Sequence, residues 1–154
     1  MAALSPEIIE LQPQEAIAVR GDVAIADLPG FFQRAFHEAA EAASASGADI
    51  VGPPFGFYPE MPTETVAVEA GFPVSAPADV HGNAHRFVLP GGRAVQVIHI
   101  GPYETMETTY KDLQSWMTER GLVPAVGMWE CYLSDPQVEH DPADWQTRII
   151  WPVT

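Results

Sequence analysis

One internal repeat constrains the fold of this chain more than any other feature. Two long segments present the same features in the same order: an aromatic-rich strand, an acid-and-proline turn, and a final strand that ends in an aromatic residue followed by Pro-Val. Such an order is improbable by chance, and a repeated sequence marks a repeated structural unit. The corresponding segments are 52–58 and 126–132, Pro59-Glu60 and Asp135-Pro136, and 72–74 and 151–153.

Each copy starts with two β-rich runs that are separated by turn-forming residues. Strand-forming runs on either side of a short turn are typical of a β-hairpin. The sequence therefore predicts one hairpin at the start of each copy. The runs are 8–11 and 16–21 around Gln12-Pro13-Gln14, and 85–89 and 94–101 around Pro90-Gly91-Gly92.

A helix is predicted after each pair of strands. In the first copy Asp27 is a candidate N-cap, Pro29 suits the first turn, and Gly47 is a natural end. Apolar residues recur at helical spacing in both copies, which indicates faces that pack on a sheet. These residues are Leu28, Phe31, Phe32, Ala35, Phe36, Ala39 and Ala43 in the first copy, and Met106, Tyr110, Leu113, Trp116 and Met117, before Gly121, in the second.

The repeat predicts an α+β fold made of two pseudo-symmetric ββαββ units with antiparallel strands. We expect a single domain over residues 1–154, with copies at about 5–74 and 85–154 and a linker at 75–84. Small-molecule sites favour interfaces between structural units, so we expect a ligand cleft between the two copies.

The charge of the chain limits its partners. It has 21 acidic and 7 basic residues, which gives a formal net charge of −14 at pH 7. Because phosphate backbones are negatively charged, we expect no direct binding to nucleic acid, whereas cations and basic partners are attracted. High net charge is also explained by solubility alone.

The sequence shows no membrane-spanning or targeting segment. No apolar run approaches the ~20 residues that cross a bilayer, and residues 1–10 lack the pattern of a signal peptide. The lone Cys131 cannot form an intramolecular disulfide, which is compatible with a reducing compartment. We therefore expect a cytoplasmic protein that does not bind membranes.

The two copies differ at one position where chemistry could reside: Gly56 in the first corresponds to Glu130 in the second. Strand side chains alternate, so Met128, Glu130 and Tyr132 share one face. A carboxylate among apolar neighbours needs pairing or solvent, because burying a charge is costly. Two interpretations remain open: Glu130 is an ordinary surface residue on a wet face, or it lies in a cleft where Gly56 leaves room for a ligand.

A cleft of this kind favours flat, apolar, cationic molecules, because rings attract the cation and the carboxylate neutralises it. Tyr58 and Tyr132 are candidate wall residues, since they share strand parity with Gly56 and Glu130. Trp145 opens the last strand, and Tyr103 follows a Gly-Pro turn at the start of the second helix. Each of these rings is alternatively a core residue.

Four motifs follow one another along the chain: Leu89-Pro90-Gly91-Gly92, 97–103, Glu130-Cys131-Tyr132 with Asp135-Pro136, and 151–153. Together they resemble the GyrI-like family, which is related to the effector-binding domains of AraC-type and multidrug-sensing MerR-type regulators. The resemblance covers nearly the whole chain. It implies two pseudo-symmetric halves, a central cleft and a strand glutamate in that cleft, which falls on Glu130.

The resemblance suggests two functions. The first is binding of aromatic, often cationic, drug- or toxin-like molecules for sensing or sequestration. We expect no fused DNA-binding domain, so transcription regulation would require a protein partner, and some relatives are linked to inhibition of DNA gyrase. The alternative is a hydrolase that opens the cyclopropane of cyclopropanoid DNA-alkylating compounds, with Glu130 activating water and a tyrosine hydroxyl hydrogen-bonding the developing negative charge.

Other reactive side chains point to no further chemistry. His81 and His85 lie in a segment that is unsuited to a helix, so neither a metal site nor a cofactor is expected. His99 resembles a histidine of the family, and we expect it to hydrogen-bond the Gly-Pro turn. Cys131 has no basic sequence neighbour that would make it a nucleophile. His140 lies in a polar loop and indicates nothing.

Overall fold

A computed structural model describes residues 6–60, 63–77, 80, 82–134 and 141–153. The described chain contains eight strands and two α-helices, which confirms the predicted mixed fold. No described helix is long and apolar enough to cross a membrane. In chain order the elements are β1 (Glu7–Leu11), β2 (Gln14–Ala24), α1 (Leu28–Ser46), β3 (Phe55–Tyr58), β4 (Thr65–Pro73), β5 (Ala84–Leu89), β6 (Gly92–Ile100), α2 (Met106–Glu119), β7 (Met128–Tyr132) and β8 (Gln146–Pro152).

The chain divides into two compact units. Unit 1 comprises Met1–Leu11 and Gly92–Thr154, and unit 2 comprises Gln12–Gly91. In unit 1 the strands are ordered β1-β6-β8-β7, and in unit 2 they are ordered β3-β4-β2-β5; every pair within a unit is antiparallel. Each unit also holds one helix, as the repeat predicts.

The two predicted hairpins are wrong, because the first strand of each copy pairs with the other copy. β1 pairs with β6, where Leu11 faces Gly92, and β5 pairs with β2, where Leu89 faces Gln14. Two-residue hairpins of types I′ and II′ both need a positive φ at the first residue of the turn. That place is held by Gln12 and by Pro90, and neither has a positive φ. Both short connections therefore carry the chain from one unit to the other.

The ends of the two copies are equivalent in three dimensions. Isolated bridges join Ile50 to Val74 in unit 2 and Pro124 to Val153 in unit 1. Beside them, the Val51 N–H donates to Pro73 O at 3.0 Å, and the Ala125 N–H donates to Pro152 O at 2.8 Å. The Pro-Val endings therefore make the same contacts in both copies.

Each helix buries its apolar stripe. α1 begins after Asp27, which has the N-cap position but makes no side-chain cap bond, and it ends at Gly47, whose φ of 76° suits only glycine well. The buried face of α1 packs on β2 and β4. α2 buries four residues, and Tyr110 and Trp116 of its predicted stripe are partly buried. The buried helical residues are Phe31, Ala35, Ala39 and Ala43 in α1, and Met106, Thr109, Leu113 and Met117 in α2.

Candidate functional site

Glu130 is buried in the middle of β7, with only 9% of its surface exposed. Its neighbours Trp129 and Cys131 are buried as well, and Ile149 lies opposite it on β8. The interpretation of Glu130 as an ordinary surface residue is therefore excluded. A carboxylate so far removed from water needs hydrogen-bond partners.

Two phenols supply hydrogen bonds to Glu130, one to each oxygen. The Tyr132 hydroxyl donates to Oε1 at 2.9 Å, and the Tyr110 hydroxyl donates to Oε2. Tyr110 comes from α2, so this face of the sheet is the face that the helix covers. The sequence placed Tyr110 in the helix core stripe and missed its contact with Glu130. The sequence did contain a signal for this contact: the apolar stripe of the second helix, which includes Tyr110, had to face the sheet that also carries Glu130.

Three aromatic rings form a cluster beside the carboxylate: Tyr103, Tyr132 and Trp145. The centroid of the Tyr103 ring lies 5.1 Å from that of Trp145 and 6.1 Å from that of Tyr132. Trp145 precedes β8 rather than opening it, and Tyr103 starts the 3₁₀ turn Tyr103–Thr105 before α2. Tyr103 is 43% exposed, so the cluster reaches the protein surface.

The charge of Glu130 affects Tyr103, the exposed residue of this cluster. Burial raises the pKa of the Tyr103 phenol, and the Glu130 carboxylate raises it further. The structure thus brings together four of the predicted residues in unit 1: Glu130, Tyr132, Tyr103 and Trp145. Tyr110 adds a fifth.

The other two predicted residues belong to unit 2. Gly56 is buried in β3 and lies opposite Ala70 of β4. Tyr58 packs against the core beneath α1. The assignment of Gly56 and Tyr58 to a ligand site stays a prediction.

His99 hydrogen-bonds the Gly-Pro turn, as predicted. Its Nε2 lies 3.1 Å from the carbonyl oxygen of Pro102, and its Nδ1 lies 2.6 Å from Oγ1 of Thr109. The imidazole is fully buried. It therefore joins β6 to the turn and to α2.

The remaining candidate residues that lie within the described part of the chain have structural explanations. His85 hydrogen-bonds the buried carboxylate of Glu69, with 2.8 Å between Nε2 and Oε2. Glu69 was not predicted, although it interrupts an apolar strand just as Glu130 does. Burial raises the pKa of the Cys131 thiol to about 11, which argues against a nucleophile. No group of three or more potential metal ligands occurs among the described residues. His81, Asp135, Pro136 and His140 lie outside them.

In unit 1 the carboxylate of Glu130 is oriented by one phenolic hydrogen bond to each oxygen, and it lies beside the ring cluster. A charge in such a buried position interacts strongly with its surroundings, because electrostatic attraction is stronger where water is excluded.

Comparisons with known proteins bear on the family and the fold of the chain. The family model for the GyrI-like small molecule binding domain matches residues 4–154. No curated protein matches the chain by sequence.

Two solved structures of EcmrR have the same fold. The EcmrR C-terminal domain superimposes with a TM-score of 0.83 at 23% identity, over 97% of each chain. EcmrR in a complex with DNA gives a TM-score of 0.84 at 25% identity, over 99% of this chain and 58% of EcmrR. The chain thus spans little more than half of that protein.

Two further structures share the fold at lower identity. A hydrolase from Listeria innocua has a TM-score of 0.71 at 18% identity, over 97% of this chain and 92% of the other. SAV2435 bound to tetraphenylphosphonium has a TM-score of 0.68 at 10% identity, over 98% and 94%.

Proposed function

The chain belongs to the GyrI-like small-molecule-binding domain family, and from that premise we propose that it binds aromatic, cationic molecules with Glu130 as the neutralising anion. The ligand would contact the ring cluster of Tyr103, Tyr132 and Trp145. The biological role would be sensing or sequestration of drug- or toxin-like compounds.

The buried, doubly hydrogen-bonded carboxylate of Glu130 is the observation that carries this proposal. A fixed negative charge beside three rings matches a molecule that is both flat and positively charged. The tetraphenylphosphonium bound by SAV2435 is tetrahedral rather than flat, but it is cationic and aromatic, which supports the proposal by analogy of fold.

We propose that the chain itself does not contact nucleic acid. Its net charge of −14 repels a phosphate backbone. The EcmrR chain in the complex with DNA is longer than this chain, which covers 58% of it. A regulatory role would therefore act through a further protein segment or partner.

Hydrolysis of a cyclopropanoid alkylator is the second candidate, and the presence of tyrosine hydroxyls beside a buried carboxylate is what favours it. In such a reaction Glu130 would take a proton from water while a tyrosine hydroxyl hydrogen-bonds the developing negative charge. Both oxygens of Glu130 already accept a phenolic hydrogen bond, so a water molecule would have to compete with the phenols, and binding is the better supported of the two functions.

The deciding experiment titrates the protein with tetraphenylphosphonium and with a rhodamine-type dye. Glu130→Gln removes the charge and keeps the shape, and we expect about 10- to 100-fold weaker binding of both cations. Glu107→Gln is the matched control, because Glu107 is an exposed glutamate of α2 and its loss removes the same net charge. Equal affinities in all three proteins would refute the assignment of Glu130.

Turnover is tested on the same proteins. Incubation with a cyclopropane-bearing alkylator, followed by product analysis, should show no ring opening above the rate in buffer. Ring opening that Glu130→Gln abolishes and Glu107→Gln preserves would establish the hydrolase instead.

A further inference from the structure

His99 connects the two chain segments that carry Tyr103 and Tyr110. The imidazole lies on β6 and is fully buried. Nε2 lies within hydrogen-bond distance of Pro102 O and lies 3.0 Å from Thr105 Oγ1. Nδ1, on the other side of the ring, lies within hydrogen-bond distance of Thr109 Oγ1. Pro102 directly precedes Tyr103, and Thr109 directly precedes Tyr110.

The partners of His99 define its tautomer. A carbonyl oxygen only accepts, so Nε2 carries the proton that is donated to Pro102 O. The Thr105 hydroxyl also donates to Pro102 O, at 2.8 Å. In the neutral imidazole Nδ1 is then the acceptor, and the Thr109 hydroxyl donates to it. Nε2 therefore bonds the segment that carries Tyr103, and Nδ1 bonds the segment that carries Tyr110.

A second contact holds the same turn from the side of the ring cluster. The Gly101 N–H donates to the carbonyl oxygen of Trp145 at 2.8 Å. Gly101 has a φ of 135°, which side-chain-bearing residues rarely adopt. The turn before Tyr103 is therefore fixed between His99 and Trp145, and Trp145 itself packs on Tyr103.

We propose that His99 is a positioning residue of the ligand site, which holds Tyr103 beside Trp145 and Tyr110 against Glu130. It does not touch the ligand. A site whose walls are held in place before binding loses less conformational freedom on binding, and affinity rises accordingly. The effect on affinity rests on the proposed function, whereas the effect on the two tyrosines does not.

Two substitutions test the hydrogen bonds at the two ring nitrogens of His99 separately. Thr109→Val has nearly the same shape and removes the donor to Nδ1, so it should disturb Tyr110. His99→Asn places an amide oxygen near the position of Nδ1 and abolishes the bond to Pro102, so it should disturb Tyr103. Thr109→Ser retains the hydroxyl and is the control for the first variant.

The measurements are the affinity for tetraphenylphosphonium and the phenolic carbon NMR shifts of Tyr103 and Tyr110. We expect about fivefold weaker binding for Thr109→Val and for His99→Asn, and a change below twofold for Thr109→Ser, since a net hydrogen bond is worth about 1 kcal/mol. The shift of Tyr110 should move only in Thr109→Val, and that of Tyr103 only in His99→Asn.

A purely structural role of His99 would lower the melting temperature and leave both NMR shifts and the affinity of the folded protein unchanged, and this result would overturn the inference. Absence of binding in the wild-type protein would refute the proposed function alone, because the NMR shifts still report whether His99 positions the tyrosines.

Discussion

The hydroxyl of Tyr110 on α2 donates a hydrogen bond to Oε2 of Glu130 on β7. Helix and sheet in unit 1 thus meet at a charged contact as well as at the apolar stripe of α2. A hydrogen bond to a charged group contributes about 1.5–3 kcal/mol, roughly twice the contribution of a neutral one. The candidate site is therefore also part of what holds the helix on the sheet.

Tyr110→Phe should lower the free energy of unfolding by about 1.5–3 kcal/mol, because a buried carboxylate loses a donor. The measurement is urea unfolding of Tyr110→Phe, Glu130→Gln and the double variant. We expect a coupling energy above about 1 kcal/mol in this cycle. Additive effects within about 0.3 kcal/mol would show that the charge of Glu130 adds nothing to the contact.

The Tyr103 phenol should titrate above its usual pKa of about 10, first because of burial and second because of Glu130. Glu130→Gln should lower this pKa only in part, since burial remains. The tyrosinate absorbance difference between wild type and Tyr103→Phe isolates the transition. An unchanged pKa in Glu130→Gln would mean that the carboxylate does not reach Tyr103.

Cys131 should react slowly with thiol reagents in the folded protein. With a pKa of about 11, roughly one molecule in a thousand carries the thiolate at pH 8. The folded state keeps its proton where the unfolded thiol has lost it, so stability should fall as pH rises from about 9 to 11. Cys131→Ala should remove that part of the decline. Rapid labelling of native protein at pH 8 would contradict the prediction.

Thr147→Val should stabilise unit 1 by about 1 kcal/mol. Thr147 is fully buried between His99 and Tyr132 on neighbouring strands, and its hydroxyl has no partner among the described residues. Replacing an unsatisfied hydroxyl by a methyl group of similar shape removes a desolvation cost. Thr109→Val, which loses a real hydrogen bond, should be destabilising in the same urea assay. A loss of stability in Thr147→Val would indicate that its hydroxyl is satisfied by water.

The sequence predicted the features that follow from the periodicity of a single helix or strand. Helical spacing predicted the buried faces of α1 and α2, and strand parity placed Glu130 and Tyr132 on one face. Strand partners were not predictable, because the apolar residues of β1 are compatible with pairing to any neighbouring strand. Tyr110 was overlooked because a periodic stripe treats its ring as apolar and ignores its hydroxyl.

The exchange of first strands between the copies has a consequence for the order of folding. Unit 2 is one continuous stretch of chain, Gln12–Gly91, and can complete its sheet as soon as β5 has left the ribosome. β1 is synthesised before all of it, yet its only strand partner among the described residues is β6, which follows β5. The apolar edge of β1 must therefore stay unpaired throughout the synthesis of unit 2, and its glutamates Glu7 and Glu10 are suited to protect it from aggregation during that interval.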